Sequence, residues 1–228
     1  MTGLEPVSLR LGFLTPRHAR TGDLDPAVLE PGYRERLRQI LTRSYRDETL
    51  EERVRRLFQE LELPENFLLL NGSGLYHHLT YGSVSTVDKE VTYVHVDNHP
   101  DNREETDGML THAGFMDSLS ALDNVRNALV FGCETESYTC FQEAGRLAEA
   151  VRDRRVYLSV DLDVLSEDYL ASPYSQGDLD LQELLELVKT VKSAAEVVAG
   201  DLVGMERPVG EQDEISYIRC AEAMRKNL

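Results

Sequence analysis

Asp97, His99 and Asp101 stand at every second position directly after an apolar run, Val91–Val96, and Asp161 and Asp163 repeat that spacing after a second run, residues 156–160. Carboxylate oxygens and imidazole nitrogens are the donors that divalent first-row ions accept. In an extended segment side chains alternate with period two, so residues at i, i+2 and i+4 converge on one side. A third apolar run, Phe67–Leu70, leads through Asn71-Gly-Ser-Gly74 to His77 and His78. If the three runs are parallel strands, their carboxyl ends share one sheet edge, which is where open α/β sheets build their sites. His77, Asp97, His99, Asp101, Asp161 and Asp163 can then meet. Four ionised carboxylates and two neutral imidazoles carry a charge of −4. Two divalent cations cancel it, whereas one leaves buried like charges that take up protons instead. The arithmetic favours two metals.

Oxygen-rich ligation with some imidazole suits Mn²⁺, with Fe²⁺, Co²⁺ and Zn²⁺ left open, because affinity order does not decide occupancy. Two ions about 3.5–4 Å apart lower the pKa of a water and make a nucleophile near neutral pH. A lone Asp-x-His is common. Asp-x-His-x-Asp with a later Asp-x-Asp, each directly after an apolar strand, is far more specific.

Holding six ligands in place calls for alternating strands and helices. Val91–Val96 reads as a strand buried on both faces, since it lacks polar alternation. Further strands are expected over 7–14, 67–70, 125–132, 155–163 and 197–205. Helices are expected over 33–44, 49–63, 115–122, 142–152, 181–195 and 215–226. The clearest are 49–63, with Leu50, Val54, Leu57 and Leu61 at helical spacing before Pro64, and 181–195, with Leu181, Leu184, Leu185, Val188 and Val191 on one stripe. The arginines of 33–56 are expected on a solvated face. Residues 15–31, 98–114 and 165–177 read as loops; the second is too long for a simple connection. This order predicts one α/β domain over 1–228 with a mostly parallel sheet.

Composition bounds the rest. A chain of 228 residues, 41% hydrophobic, has the means for a sizeable core. A formal net charge of −17 argues against nucleic acid or an anionic membrane as partner and tolerates a cationic substrate. Three cysteines, Cys133, Cys140 and Cys220, show no metal-ligand spacing and form an odd set, as expected of thiols in a reducing compartment. With no signal pattern and no apolar stretch of about 18 residues, a cytoplasmic protein is expected.

On these residues the sequence resembles the arginase/agmatinase (ureohydrolase) family, as a short and divergent member. That family's marks are Gly-Gly-Asp-His-Ser, Asp-Ala-His-x-Asp and Ser-x-Asp-x-Asp, in that order. Here they stand as Gly74-Leu-Tyr-His77-His78, Asp97-Asn-His99-Pro-Asp101 and Ser159-Val-Asp161-Leu-Asp163. The resemblance spans residues 68–208. It implies a three-layer α/β/α fold and two manganese ions held by His77, Asp97, His99, Asp101, Asp161 and Asp163. It also implies hydrolysis of a guanidino or amidine-type C–N bond with release of urea or a related amide. Thr111-His112-Ala-Gly resembles the segment whose histidine shuttles a proton to the leaving amine. Glu206, in Gly204-Met-Glu-Arg-Pro208, resembles the glutamate that pairs with the substrate guanidinium, and Asp163 would also stabilise the tetrahedral intermediate. Such roles are physically apt. An imidazole titrates near neutral pH, and a planar cation is best held by a carboxylate through paired hydrogen bonds.

The departures are specific. Leu75 and Tyr76 replace Gly-Asp, so a carboxylate beside His77 is missing, and such outer groups orient ligands. After Asp163 the family's Val-Leu-Asp-Pro and later Pro-Gly-Thr become Val-Leu-Ser-Glu-Asp-Tyr and Ala-Ser-Pro-Tyr-Ser. Remodelled substrate loops follow, and the substrate is expected to be a small guanidino molecule, a formimino compound, or an arginine side chain of a peptide. Oligomeric state stays open, a homo-oligomer included. Among single residues, His77 is preferred to His78 as ligand, His95 reads as a satisfied core histidine, His18 carries no signal, and Glu134 and Glu136 are candidates to face the cleft. The rival readings are a one-zinc deacylase on the related deacetylase fold and a non-catalytic, metal-stabilised binding protein. A binuclear phosphoesterase would need Gly-Asn-His-Glu and Gly-His-x-His segments, which are absent.

Overall fold

The computed structural model describes residues 5–7, 49–61, 63, 66–102, 110–205 and 210–227. The expected helix over 33–44, the loop over 15–31, most of the strand over 7–14, His18 and Glu206 lie outside these residues.

The strands are β1 (Glu5–Val7), β2 (Phe67–Leu70), β3 (Val91–Val96), β4 (Val125–Phe131), β5 (Thr139–Phe141), β6 (Arg155–Asp161) and β7 (Glu196–Val203). They form one sheet in the order β1-β2-β7-β6-β3-β4-β5, and every pairing between them is parallel. The helices are α1 (Leu50–Glu60), α2 (Leu79–Val84), α3 (Met116–Ser120), α4 (Ala144–Val151), α5 (Leu181–Ala194) and α6 (Glu211–Asn227). No described helix is long and apolar enough to cross a membrane.

Two helical layers cover the sheet, one on each face. Val54, Leu57 and Phe58 of α1, Leu79 and Val84 of α2, and Met116 and Leu119 of α3 pack on Phe67, Leu69, Tyr93 and Tyr157. Leu147 of α4, the Leu181–Val191 stripe of α5 and Cys220 and Met224 of α6 pack on Leu68, Val94, Leu158 and Val160. Successive strand residues face opposite layers, so strands covered on both sides need apolar side chains at nearly every position. This is why β3, between β4 and β6, is buried throughout.

Local chemistry sets the helix starts. Thr49 and Glu52 form a capping box at α1, with Glu52 N–H donating to Thr49 Oγ1 at 3.2 Å. Asp180 and Glu183 do the same at α5, at 2.7 Å. Each box satisfies amides that the first turn leaves without helical partners.

Several sequence expectations are corrected in detail. Helix α2 and the edge strand β5 had no recognised signal; β5 is three residues of which none is buried. Strand β6 ends at Asp161, and Asp163 sits on a short 3₁₀ turn, Leu162–Val164. In α5 Leu187, not Leu185, completes the buried stripe. Helix α6 begins four residues earlier than expected, at Glu211. Arg53 is buried, while Arg55 and Arg56 are solvated as expected. All three thiols are free, with Cys133 and Cys220 buried.

Candidate metal centre

Strands β3 and β6 end in the same local structure. The Asp97 carboxylate accepts from the His99 amide at 2.6 Å, and the Asp161 carboxylate accepts from the Asp163 amide at 3.0 Å. An aspartate that bonds the backbone two residues on turns the chain sharply. This is what the Asp-x-His and Asp-x-Asp spacings encode: the first carboxylate makes the turn and the second side chain is delivered by it. Asp101 follows with φ of 43°, a backbone conformation rare outside glycine, and its carbonyl is held by the Met116 amide at 3.1 Å. Such strain persists where the surroundings over-determine it, often at functional sites.

The six expected ligands come together at the carboxyl edge of the sheet. His77 Nδ1 lies 3.3 Å from Asp97, 3.1 Å from Asp101 and 3.3 Å from Asp161. His99 Nδ1 lies 2.8 Å from Asp163 Oδ2 and 3.5 Å from Asp97 Oδ1. Asp97 thus belongs to both groups, one oxygen toward each. All six line one cleft of about 100 Å³, and so do His112, Ser172 and Tyr174. The wall beside Asp161 is bare backbone at Gly204, whose φ is 95°; a Cβ there would collide with the Asp161 carboxylate.

Electrostatics describe a site that holds positive charge. Burial, then Asp101, Asp163 and Asp161, push the Asp97 carboxyl well above its usual range. Burial also raises Asp101, and burial and Asp161 push Asp163 up to about 6. Burial disfavours the His77 cation, but hydrogen bonds to Asp101 and Asp161 outweigh it and raise this imidazole well above 6.5. Bonds to Asp163 and Asp97 push His99 up to about 10. Carboxylates this close either take up protons or are offset by cationic partners, protonated histidines or metal ions. The donor set fits divalent cations: oxygen and imidazole groups in two sets that share one carboxylate.

His95 shows that proximity is not ligation. Its Nε2 lies 3.2 Å from Asp97 Oδ2, close enough to complete a trio with His77. The same nitrogen is 3.2 Å from the His99 carbonyl, which can only accept, so it carries the proton, and Nδ1 is left to accept from the Tyr93 hydroxyl at 3.1 Å. His95 is therefore a partnered core histidine that steadies Asp97. His78 does not line the cleft, and burial and His112 lower it to about 4. Glu134 and Glu136 are both exposed and do not line the cleft.

Sequence reasoning missed three contributors. Ser175 holds the far nitrogen of His99 at 2.7 Å, and the Tyr174 ring lies tilted against His112 with centroids 6.2 Å apart. Both sit in a loop that carries no periodic pattern. Asp201 lies 0% exposed within β7 and is bonded to Ser159. Its signal was visible as a carboxylate inside an apolar run.

No family model matches the chain. A curated but uncharacterized protein of Thermotoga maritima is 25% identical over 162 residues, covering 69% of this chain and 63% of that protein. An agmatinase of Halalkalibacterium halodurans is 24% identical over 201 residues, covering 79% and 68%. Among solved structures, the agmatine ureohydrolase of Thermoplasma volcanium superposes with a TM-score of 0.60 at 20% identity, over 78% of this chain and 66% of that one. The fold is the arginase/agmatinase fold. On this ureohydrolase fold the expected three-layer architecture and parallel sheet are both present. The chain spans less than two thirds of the Thermotoga relative, and the remodelled stretch after Asp163 falls within the described cleft wall.

Proposed function

We propose that this protein is a divergent ureohydrolase: a binuclear, manganese-dependent hydrolase that cleaves a guanidino or amidine-type C–N bond and releases urea or a related amide. The observation that carries the reading is the pair of donor groups sharing Asp97, His77 with Asp97, Asp101 and Asp161 on one side, and His99 with Asp97 and Asp163 on the other. Those six residues would hold two ions. When bound, two such ions polarise the substrate and make a water nucleophilic near neutral pH.

The chain's own residues supply the rest. Ser175 fixes one edge of His99 and Asp163 the other, which holds the ring in one orientation. Asp163 is itself steadied by the Asn98 amide at 3.2 Å. His112 stands at the cleft wall beside the ligands, placed to give a proton to the amine as the C–N bond breaks. Glu206 follows β7 closely in sequence and is assigned to the guanidinium cation by its chemistry. Tyr174 and Ser172 line the same small cleft as the ligands, whose size suits a slender guanidino group, either of a small molecule or of an arginine side chain in a peptide. The formal charge of −17 suits a cationic substrate.

The test is urea release by protein loaded with Mn²⁺, assayed against guanidino compounds, formimino compounds and arginine-containing peptides. Urea or the matching amide from one class establishes the reaction. Two bound ions with no turnover on any class would sink the catalytic reading.

A further inference from the structure

Three neighbouring strands carry a polar residue at the same level of the buried sheet. In the strand register His95 of β3 is opposite Ser159 of β6, and Ser159 is opposite Asp201 of β7. All three are 0% exposed. A polar row inside an apolar core is costly unless every member is bonded, and once bonded it is rigid. Tyr157 donates to Asp201 Oδ2 at 2.7 Å, and Ser159 Oγ donates to Oδ1 at 2.8 Å. A serine hydroxyl has a single proton. With that proton committed to Asp201, Ser159 Oγ is only an acceptor toward His77 Nε2, at 3.1 Å. His77 thereby keeps a proton on Nε2 and turns Nδ1 toward Asp97, Asp101 and Asp161, so that Nδ1 is the nitrogen offered to a metal ion once it gives up its own proton.

We propose that Asp201, acting through Ser159, is the positioning residue that sets the tautomer and ring orientation of His77 for metal binding. Position 76, immediately before His77, holds Tyr76 and offers no carboxylate, so the orienting charge comes instead from a strand more than a hundred residues downstream. Tyr157 bonds the other oxygen of Asp201, off the path from Asp201 through Ser159 to His77. The proposal rests on the metal-centre reading for its purpose, while the hydrogen-bond relay is a feature of the folded chain itself.

The experiment compares Ser159→Ala, Asp201→Asn and Tyr157→Phe with the parent protein by Mn²⁺ titration and by ¹⁵N–¹H spectra of His77 in the metal-free and Zn²⁺-loaded forms. Ser159→Ala and Asp201→Asn are expected to weaken uptake at the His77 side by roughly 10–100-fold, the usual cost of losing an outer partner of a metal ligand. Both should also lose the exchange-protected Nε2 proton. Tyr157→Phe removes a hydroxyl of the same buried network that lies off the path to His77, so it should lower the melting temperature yet keep both the protected proton and most of the affinity. If Asp201→Asn does not fold, Ser159→Ala carries the test alone. Parent-like affinity and an intact Nε2 proton in Ser159→Ala would overturn the proposal. So would a Tyr157→Phe loss of affinity equal to that of Ser159→Ala, since core damage would then explain both. If the parent itself takes up no divalent ion, the metal-centre reading fails, and the Nε2 proton of the metal-free protein still reports on the relay.

Discussion

Replacing Asp97 by Asn should separate metal binding from folding. Asp97 gives one oxygen to the His77 group and one to the His99 group, and its side chain is 1% exposed. The Asp97→Asn change keeps the shape and the acceptor for the His99 amide but removes the charge from both groups at once. In the parent, one site filled at a hundred times its Kd adds about 2.7 kcal/mol of stability. For a chain of this size 1 kcal/mol is worth about 2–4 °C, so each filled site raises Tm by about 5–11 °C. Losing a shared, charged ligand should weaken each site at least as much as losing an outer partner, roughly 100-fold. At the same ion concentration that leaves about 0.4 kcal/mol per site, a shift of about 1–2 °C. The metal-free variant should melt no lower than the metal-free parent, because burial and three neighbouring carboxylates already disfavour the Asp97 charge. Thermal melts with and without Mn²⁺, after chelation, measure both quantities. An Asp97→Asn variant with the parent's metal-dependent shift would refute the shared-ligand reasoning, and a metal-free variant melting many degrees lower would make Asp97 a structural residue.

Two further outcomes are expected. His112→Ala should keep both ions, since His112 belongs to neither donor group, and lose about 10²–10⁴ in kcat, measured as urea release alongside metal content. In the metal-free protein Asp163 and His99 both hold protons more tightly folded than unfolded, so stability should fall as pH rises, through Asp163 from about pH 4 to about 6 and through His99 from about 6.5 to about 10. Melts in chelator across that range measure it, and stability that climbs with pH would contradict the placement of these two groups.

The ligand-bearing strands were legible because each is covered on both faces and must be apolar, so the polar residues at their ends stand out. The turn chemistry was legible too, once Asp97 and Asp161 are seen to bond the amides two residues on. Helix α2 was not, because Leu79–Val84 is wholly buried and a segment buried all round has no amphipathic period. Strand β5 was hidden for the opposite reason: it is a short, exposed edge that packs little. Asp201 was visible but unexplained, since its partners, Ser159 and Tyr157, are more than forty residues away in sequence and meet it only through strand register. The cleft wall at Ser172–Ser175 arises from loop conformation, which periodicity does not encode.

The sheet order has a consequence for how the chain is made. β2, which leads to His77, does not pair with β6, which leads to Asp161; β7 lies between them and is hydrogen-bonded to both. On a ribosome His77 emerges early and the aspartates follow, yet at about 5–20 residues per second several seconds pass before residues 196–203 appear. Until then β1 and β2 have no edge to join, and His77 has no fixed distance to Asp101 or Asp161. A nascent chain stalled before Glu196 can carry all six ligands and still lack the His77 side of the centre, although Asp97, His99 and Asp163 already lie at the ends of strands that pair directly. The His77 group is therefore completed only when the last strand is inserted, through a β2–β7 pairing between distant parts of the chain, the kind of contact that forms slowly.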